Sequence, residues 1–240
     1  DTLCIDPISI KNSITKKTKL ILPVHFGGFP CKLDEIKKIA DKNACHIIED
    51  AAHAVGSKFS TQKIGKHSFA TCFSFHPVKI ITSAEGGMAL TNDVELAEKM
   101  KLYRSHGITS KADKMTEPSH GPWYYQQTHL GFNYRMTDLQ AALGLSQLSR
   151  IDEFIEERNY LAKNYNEAFS DMAATPLTPV GNCQSAYHLY LILLTEANAH
   201  KHKQTIIALR KQGICAHVHY IPVHLQPYYQ ELGFKLGDFP

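Results

Sequence analysis

The sequence lacks any run of about 18 apolar residues, the length a helix needs to cross a bilayer, and its first residues show no charged-then-apolar leader. Neither a membrane span nor secretion is expected, and a cytoplasmic location is. Cysteine is sparse: residues 4, 31, 45, 72, 183 and 215 are the only ones, with no Cys-x-x-Cys pair among them. Such spacing excludes a dense disulfide framework and fits a reducing compartment. Cys72, inside an apolar run, reads as a small core residue. Excess charge of one sign is also missing: 26 Lys and Arg against 23 Asp and Glu leave +3, and only Lys16, Lys17 and Lys19 cluster. Nucleic-acid binding is not indicated. The 14 histidines add positive charge below neutral pH without naming a partner. No internal repeat or low-complexity tract occurs. The first residue is Asp rather than Met, so the chain is expected to be a piece of something longer.

What is present is enough apolar material, 43% of 240 residues, for one large domain or one and a half. Lys19 to Phe26 and His46 to Glu49 read as strands, with a helix between them over Leu33 to Lys42, where Leu33, Ile36, Ile39 and Ala40 recur at helical spacing. Strand, helix and strand joined by short links predict a mostly parallel sheet covered by helices, an α/β fold, whose ligands gather beyond the carboxyl ends of the strands. The stretch from Phe69 to Thr91 organises the rest. It predicts a strand over Phe69 to Phe75, a loop with Pro77 and Lys79, a Glu85-Gly86-Gly87 turn, and a second strand over Met88 to Leu90.

Further on, Asn92 with Glu95 predicts a capped helix carrying Leu96, Met100 and Tyr103 and ending before Gly107. Residues 105 to 130 read as a long functional or inter-subunit loop holding the single tryptophan, Trp123. Thr137 and Gln140 form a capping box, and a long amphipathic helix follows through Ile151, Ile155, Ala162 and Phe169. The prolines and glycine of 175 to 182 mark a boundary. Beyond it, Tyr187 to Leu194 and Cys215 to Tyr220 read as strands and Lys203 to Lys211 as a helix. The expected division is therefore 1–170, the later part of a large domain plus a connecting helix, and 171–240, an incomplete small domain.

Asp50 and Lys79 both fall at, or just past, strand ends. A lysine there is, taken alone, most simply a solvated loop residue; held in a crevice, it is a cation for phosphate or carboxylate, or a nucleophile toward an aldehyde once desolvated. Asp50, His53, Ser74 and Lys79 around one crevice suit pyridoxal 5'-phosphate. Its aldehyde needs an amine (Lys79), its ring nitrogen an acid (Asp50), and its phosphate hydroxyl and N–H donors. Freed by a substrate amine, Lys79 would serve as general base and acid. Other classes compete. His217, His219 and His224 suggest a metal, since residues two apart on a strand share a side, but no further ligand is marked and no metal is expected. Ser74 and His76 lack the G-x-S-x-G elbow of a hydrolase. A non-catalytic sensor would have no need of Lys79.

Four segments carry a family resemblance: Glu49-Asp50-Ala51-Ala52-His53-Ala54-Val55-Gly56, Phe73-Ser74-Phe75-His76-Pro77-Val78-Lys79, Glu85-Gly86-Gly87, and Gly131-Phe132-Asn133-Tyr134-Arg135-Met136-Thr137-Asp138. In this order they resemble the motifs of the DegT/StrS-type nucleotide-sugar aminotransferases, and the resemblance runs over essentially the whole chain. It implies a fold-type I pyridoxal-phosphate enzyme, a homodimer with active sites at the subunit interface. By the same resemblance Lys79 is the lysine that condenses with the cofactor and Asp50 the pyridine-nitrogen partner. His53 lies beside the ring hydroxyl, Ser74 on the phosphate, and Asn133 on the phosphate of the neighbouring subunit's cofactor. Arg135 and the stretch from His219 to His224 would lie near the sugar nucleotide. Pro122 to Tyr125 and His217 to Tyr229 most resemble the members that aminate a UDP-linked 4-keto-6-deoxy sugar with nitrogen from glutamate, in pseudaminic acid biosynthesis. Members also carry a longer N-terminal part, with a Gly-Thr or Gly-Ser phosphate turn and a stacked aromatic, and a longer small domain. The chain is thus expected to be truncated at both ends.

Overall fold

The apolar runs at 46–50 and 70–74 form the adjacent middle strands of a four-stranded sheet in the computed structural model, which describes residues 2–172, 174–195 and 199–239. In chain order come α1 (Pro7–Ser13), β1 (Leu20–Ile21), α2 (Leu33–Lys42), β2 (His46–Asp50), β3 (Lys58–Phe59), β4 (Gln62–Lys63), β5 (Ala70–Ser74) and β6 (Gly87–Leu90). Helices α3 (Val94–Arg104), α4 (Asp138–Leu148) and α5 (Ile151–Ala168) follow. The sheet order is β1-β2-β5-β6; the first three strands are parallel and β6 runs antiparallel to β5. This is the mostly parallel α/β sheet that the order of elements predicts.

The apolar run from Lys19 to Phe26 is a strand only over Leu20–Ile21. Pro23 interrupts the ladder because it has no N–H to donate. Its carbonyl still accepts from Asp50 N at 2.9 Å, and a bridge joins Val24 to Asp50, so the run stays beside β2 to the strand's end. Helix α2 buries Leu33, Ile36 and Ala40 against Ile10, Ile21 and Ile47, each isoleucine contributing about 1.5–3 kcal/mol on burial. Asp34 and Glu35 in its first turn and Lys42 in its last match the helix dipole.

Helix α3 is capped by Asp93, whose Oδ1 accepts from Leu96 N at 2.7 Å, rather than by Asn92. Thr91 Oγ1 accepts from Asp93 N and carries the turn one residue further. The expected stop holds: Gly107, at φ 68, donates to Leu102 O at 2.9 Å. Within 105–130 the short strands 108–109 and 126–127 pair antiparallel. The capping box of α4 is present, with Thr137 Oγ1 accepting from Gln140 N and Gln140 Oε1 from Thr137 N. Neither α3 nor α4 has a fully buried side chain. Helix α5 differs. Ile151 and Ile155 pack with Ile80, Ile81 and Ala186, and Ala162 packs with Phe29, Leu177 and Tyr187.

The chain separates into two compact units, Asp1–Leu193 and Leu194–Pro240. Leu177, Ala186 and Tyr187, which the sequence assigns to the small domain, lie in the core clusters of the first unit. The expected strand over Tyr187 to Leu194 is regular only at Ile192–Leu194, because Tyr187 is drawn into the core beside Phe29. The second unit contains α6 (Ala199–Lys211) and α7 (Pro227–Glu231). Its segment from Cys215 to Tyr220, expected as a strand, is irregular and has no ladder partner among the described residues. Asp1 and Pro240, the ends of the sequence, lie outside the described residues. Among those described, no helix is long and apolar enough to cross a membrane.

Candidate active site

Alternation along β2 sends two neighbouring acids to opposite faces of the sheet. Glu49 enters the core: its Oε2 lies 2.7 Å from His25 Nε2, and its Oε1 accepts from Thr71 Oγ1 at 3.0 Å. His25 Nδ1 accepts from Cys31 N at 3.0 Å, so the ring proton sits on Nε2 and is donated to Glu49. Burial pushes the Glu49 carboxyl up, but the hydrogen bond and electrostatic attraction of His25, with smaller contributions from Ser68 and Thr71, outweigh it and hold the group below the ordinary carboxylate value.

Asp50 faces the other way. The parallel register pairs it with Cys72, so Asp50, Cys72 and Ser74, two residues on, share one face at the carboxyl ends of β2 and β5. Cys72 is exposed rather than a core residue, because alternation turns it to this open face beside Asp50. Burial and then the Asp50 charge raise its thiol pKa. Asp50 Oδ1 accepts from Ala52 N at 3.0 Å, which ties the carboxylate to the turn after the strand. Ser74 Oγ is half-buried and accepts from His76 N at 3.4 Å.

Lys79 stands in the loop joining β5 to β6. Phe75 N donates to Gly86 O at 2.8 Å and Ser83 N to Phe75 O at 3.0 Å, which closes the base of the loop. Buried Ile80 and Ile81 then pin the backbone next to the lysine onto α5. Desolvation lowers the half-buried Lys79 ammonium pKa, while the Asp50 carboxylate opposes the shift without cancelling it. The Asp50 carboxylate is therefore near enough to act on the Lys79 ammonium. Gly87 permits the closure, since a Cβ there would sit 2.7 Å from Phe73 O.

His53 lies on the turn after β2, with its Nδ1 accepting from Gly27 N at 3.2 Å. Beside it the hydroxyl of fully buried Ser57 donates to Gly28 O at 2.8 Å and accepts from Ala186 N at 3.0 Å. Three distant segments thus meet next to the strand ends. Asn133 and Arg135 are exposed on a run tied to the end of α3, where Phe132 N donates to Tyr103 O and Tyr134 N to Arg104 O. No hydrogen bond or ion pair among the described residues joins them to Asp50, Ser74 or Lys79. In the second unit the His219 ring stacks on Tyr220 at 3.6 Å and His224 meets the edge of Phe239 at 4.9 Å. Among the described residues no three His, Cys, Asp or Glu groups are disposed to hold a metal.

The sequence reading overlooks His25, Glu49, Ser57 and His188. An acid inside an apolar run is a signal that Glu49 has a buried partner. Which histidine supplies it depends on the turn at Gly27-Gly28 that folds His25 over β2.

The model of the DegT/DnrJ/EryC1/StrS aminotransferase family matches residues 1–240. The spore coat polysaccharide biosynthesis protein SpsC of Bacillus subtilis is 40% identical over 100% of this chain and 62% of its own length. The UDP-4-amino-4,6-dideoxy-N-acetyl-beta-L-altrosamine transaminase of Helicobacter pylori is 37% identical over 95% of this chain and 59% of its own. Among solved structures, Spr1654 of Streptococcus pneumoniae, described as a sugar aminotransferase in its PLP form, superposes with a TM-score of 0.89 at 30% identity, over 100% of this chain and 64% of that one. The chain spans about three fifths of the length of the curated relatives it matches.

Proposed function

The chain belongs to the DegT/DnrJ/EryC1/StrS aminotransferase family and has its fold-type I α/β architecture. From that premise we propose that it is part of an enzyme moving an amino group from an amino acid to C4 of a nucleotide-linked 4-keto-6-deoxy sugar. Pyridoxal 5'-phosphate is the cofactor of the family's aminotransferases. The observation that carries the reading is a desolvated Lys79 amine, in the loop after β5, acted on by the Asp50 carboxylate that is anchored at the end of β2.

The residues present fit the cofactor. A half-buried amine opposite a carboxylate, with a serine hydroxyl one strand over, supplies partners for an aldehyde, a pyridine nitrogen and a phosphate. When bound, the cofactor supplies an aldehyde for amine exchange and a protonated ring that takes up electron density from the carbon losing its proton. Asp50 would keep the ring nitrogen protonated. Ser74 would hold the phosphate, and His53 would lie beside the ring oxygen. Lys79, its ammonium destabilised by burial, would hold the moving proton and hand it between donor carbon and cofactor carbon.

Asn133 would reach the phosphate held by a second copy, and Arg135, His219 and His224 would line the sugar-nucleotide site. Exposed Trp123, Tyr134 and Leu139, each more than 70% accessible, favour a face covered in a homodimer. A cytoplasmic setting supplies both substrates. Within the substrate class, a UDP-linked sugar of pseudaminic acid synthesis, with glutamate as donor, is favoured by the segments 122–125 and 217–229 and by the name of the Helicobacter pylori relative.

The test uses the protein at its natural length. It is incubated with pyridoxal phosphate and reduced with borohydride, the labelled peptide is located by mass, and UDP-, dTDP- and GDP-linked 4-keto sugars are then offered with glutamate. Label on Lys79 and amination of the UDP sugar are expected. Label elsewhere, or none, would overturn the reading; label on Lys79 with turnover of another nucleotide sugar would overturn only the substrate.

A further inference from the structure

His188 has no part in the site as derived so far, yet its ring centroid lies 4.4 Å from that of His53, tilted by 42°. The contact is built by the backbone on both sides. Leu189 N donates to Gly27 O at 3.2 Å, Tyr187 N to Ser185 Oγ at 2.9 Å, and Ala186 N to the buried Ser57 hydroxyl at 3.0 Å. Gly28 lets the segments close up: a Cβ there would lie 3.0 Å from both His53 O and Tyr187 N and 3.1 Å from His188 N. The stretch 185–189 is therefore locked against the turn that carries His53.

The Gly27 contact selects one tautomer of His53. Gly27 N–H points at Nδ1, so Nδ1 must be the acceptor and Nε2 the protonated nitrogen. A half-turn of the ring about its Cβ–Cγ bond would remove Nδ1 from that N–H. Phe26, at 5.9 Å, packs more loosely than His188 and restrains such a turn less.

We infer that His188 is a positioning residue for His53. Its ring, fixed by the 185–189 backbone, prevents the His53 imidazole from turning and so keeps Nδ1 on Gly27 N–H and the proton on Nε2. A fixed N–H, rather than a lone pair, is what an anionic ring oxygen requires of a neighbouring imidazole. The inference rests on the reading of His53 as a residue beside the cofactor's ring oxygen, and it adds the group that sets His53's hydrogen-bonding sense.

The experiment uses the natural-length protein with imidazole nitrogens labelled. Two-bond proton–nitrogen spectra report which nitrogen of each ring is protonated, and a His53→Gln variant identifies the His53 signals. The wild type should show His53 as the Nε2–H form alone. His188→Ala should give a mixture of tautomers and weaken pyridoxal phosphate binding about five- to tenfold, the order of one neutral hydrogen bond. His188→Phe, which keeps a flat ring, should preserve both properties, and His188→Leu, which keeps bulk without a ring plane, should lose them. Should the alanine variant fail to fold, the phenylalanine and leucine variants decide. A single Nε2–H form retained in His188→Ala or His188→Leu overturns the inference, as does its loss in His188→Phe. If the wild type binds no pyridoxal phosphate, the aminotransferase reading falls, while the tautomer spectra still judge His188.

Discussion

His25 Nε2 lies 2.7 Å from Glu49 Oε2 with both side chains fully buried, and this bond holds a carboxylate on one side of the sheet, one residue before the Asp50 carboxylate on the other. His25 donates from Nε2 to Glu49 while its Nδ1 accepts from Cys31 N. The Glu49 carboxyl pKa in the folded chain is below the ordinary value of 4.5. The stabilisation linked to that shift is fully present above the ordinary value and is lost as pH falls through the lower, folded one. Glu49→Leu leaves His25 and Thr71 without their acceptor and should cost on the order of 3 kcal/mol near neutral pH. Urea unfolding between pH 7 and pH 3 measures both effects: the gap between wild type and Glu49→Gln should narrow as the solution is acidified. A gap independent of pH would show that the carboxylate charge plays no part.

Lys79→Arg keeps a positive charge in the crevice but replaces an amine with a group that stays protonated and does not condense with an aldehyde. Amino transfer should fall by about a thousandfold or more in a coupled glutamate assay. The variant should fold normally, because Ile80 and Ile81, not the lysine head, anchor the loop. Near wild-type turnover would remove Lys79 from its proposed role.

Asp50→Asn can still accept from Ala52 N through its amide oxygen, so the turn after β2 should persist. The lost charge no longer favours a protonated pyridine nitrogen. Cofactor should therefore bind while the rate drops by about a hundred- to ten-thousandfold. Single-turnover spectra after rapid mixing with glutamate separate the two properties. The Cys72 thiol offers a second readout: without the Asp50 charge it should ionise at lower pH, which an alkylation profile detects.

Gly28→Ala tests the close approach of the segments around His53. The position has φ of +98, and the added methyl would sit about as near three backbone atoms as any Cβ can. A loss of about 1–3 kcal/mol is expected in urea unfolding. Unchanged stability would mean that 185–189 can withdraw without cost.

Much of this arrangement is legible in the sequence. Helix α2, the capping box of α4 and strands β2, β5 and β6 follow from local periodicity and end signals, which act over a few residues. Asp50 and Ser74 can be placed at strand ends, and Lys79 in the loop beyond, for the same reason. The departures have local causes too: Pro23 cuts the first strand short, and Thr91 shifts the cap of α3 from Asn92 to Asp93. Cys215 to Tyr220 has strand composition but no ladder to join among the described residues. What could not be read was pairing at a distance. His25 finds Glu49 24 residues away, and His188 finds His53 across most of the first unit. No window of sequence contains both members.

The Ser57 hydroxyl, which joins Gly28 O to Ala186 N, spans 129 residues of chain to reach its second partner. On a translating ribosome the strand bearing Asp50 and the loop bearing Lys79 are made long before that partner is. A nascent chain that ends at residue 150 thus already holds the lysine and the carboxylate, yet lacks the segment that closes around Ser57 and His53. Until residues 185–189 arrive, the turn that carries Ser57 and His53 stays open on that side.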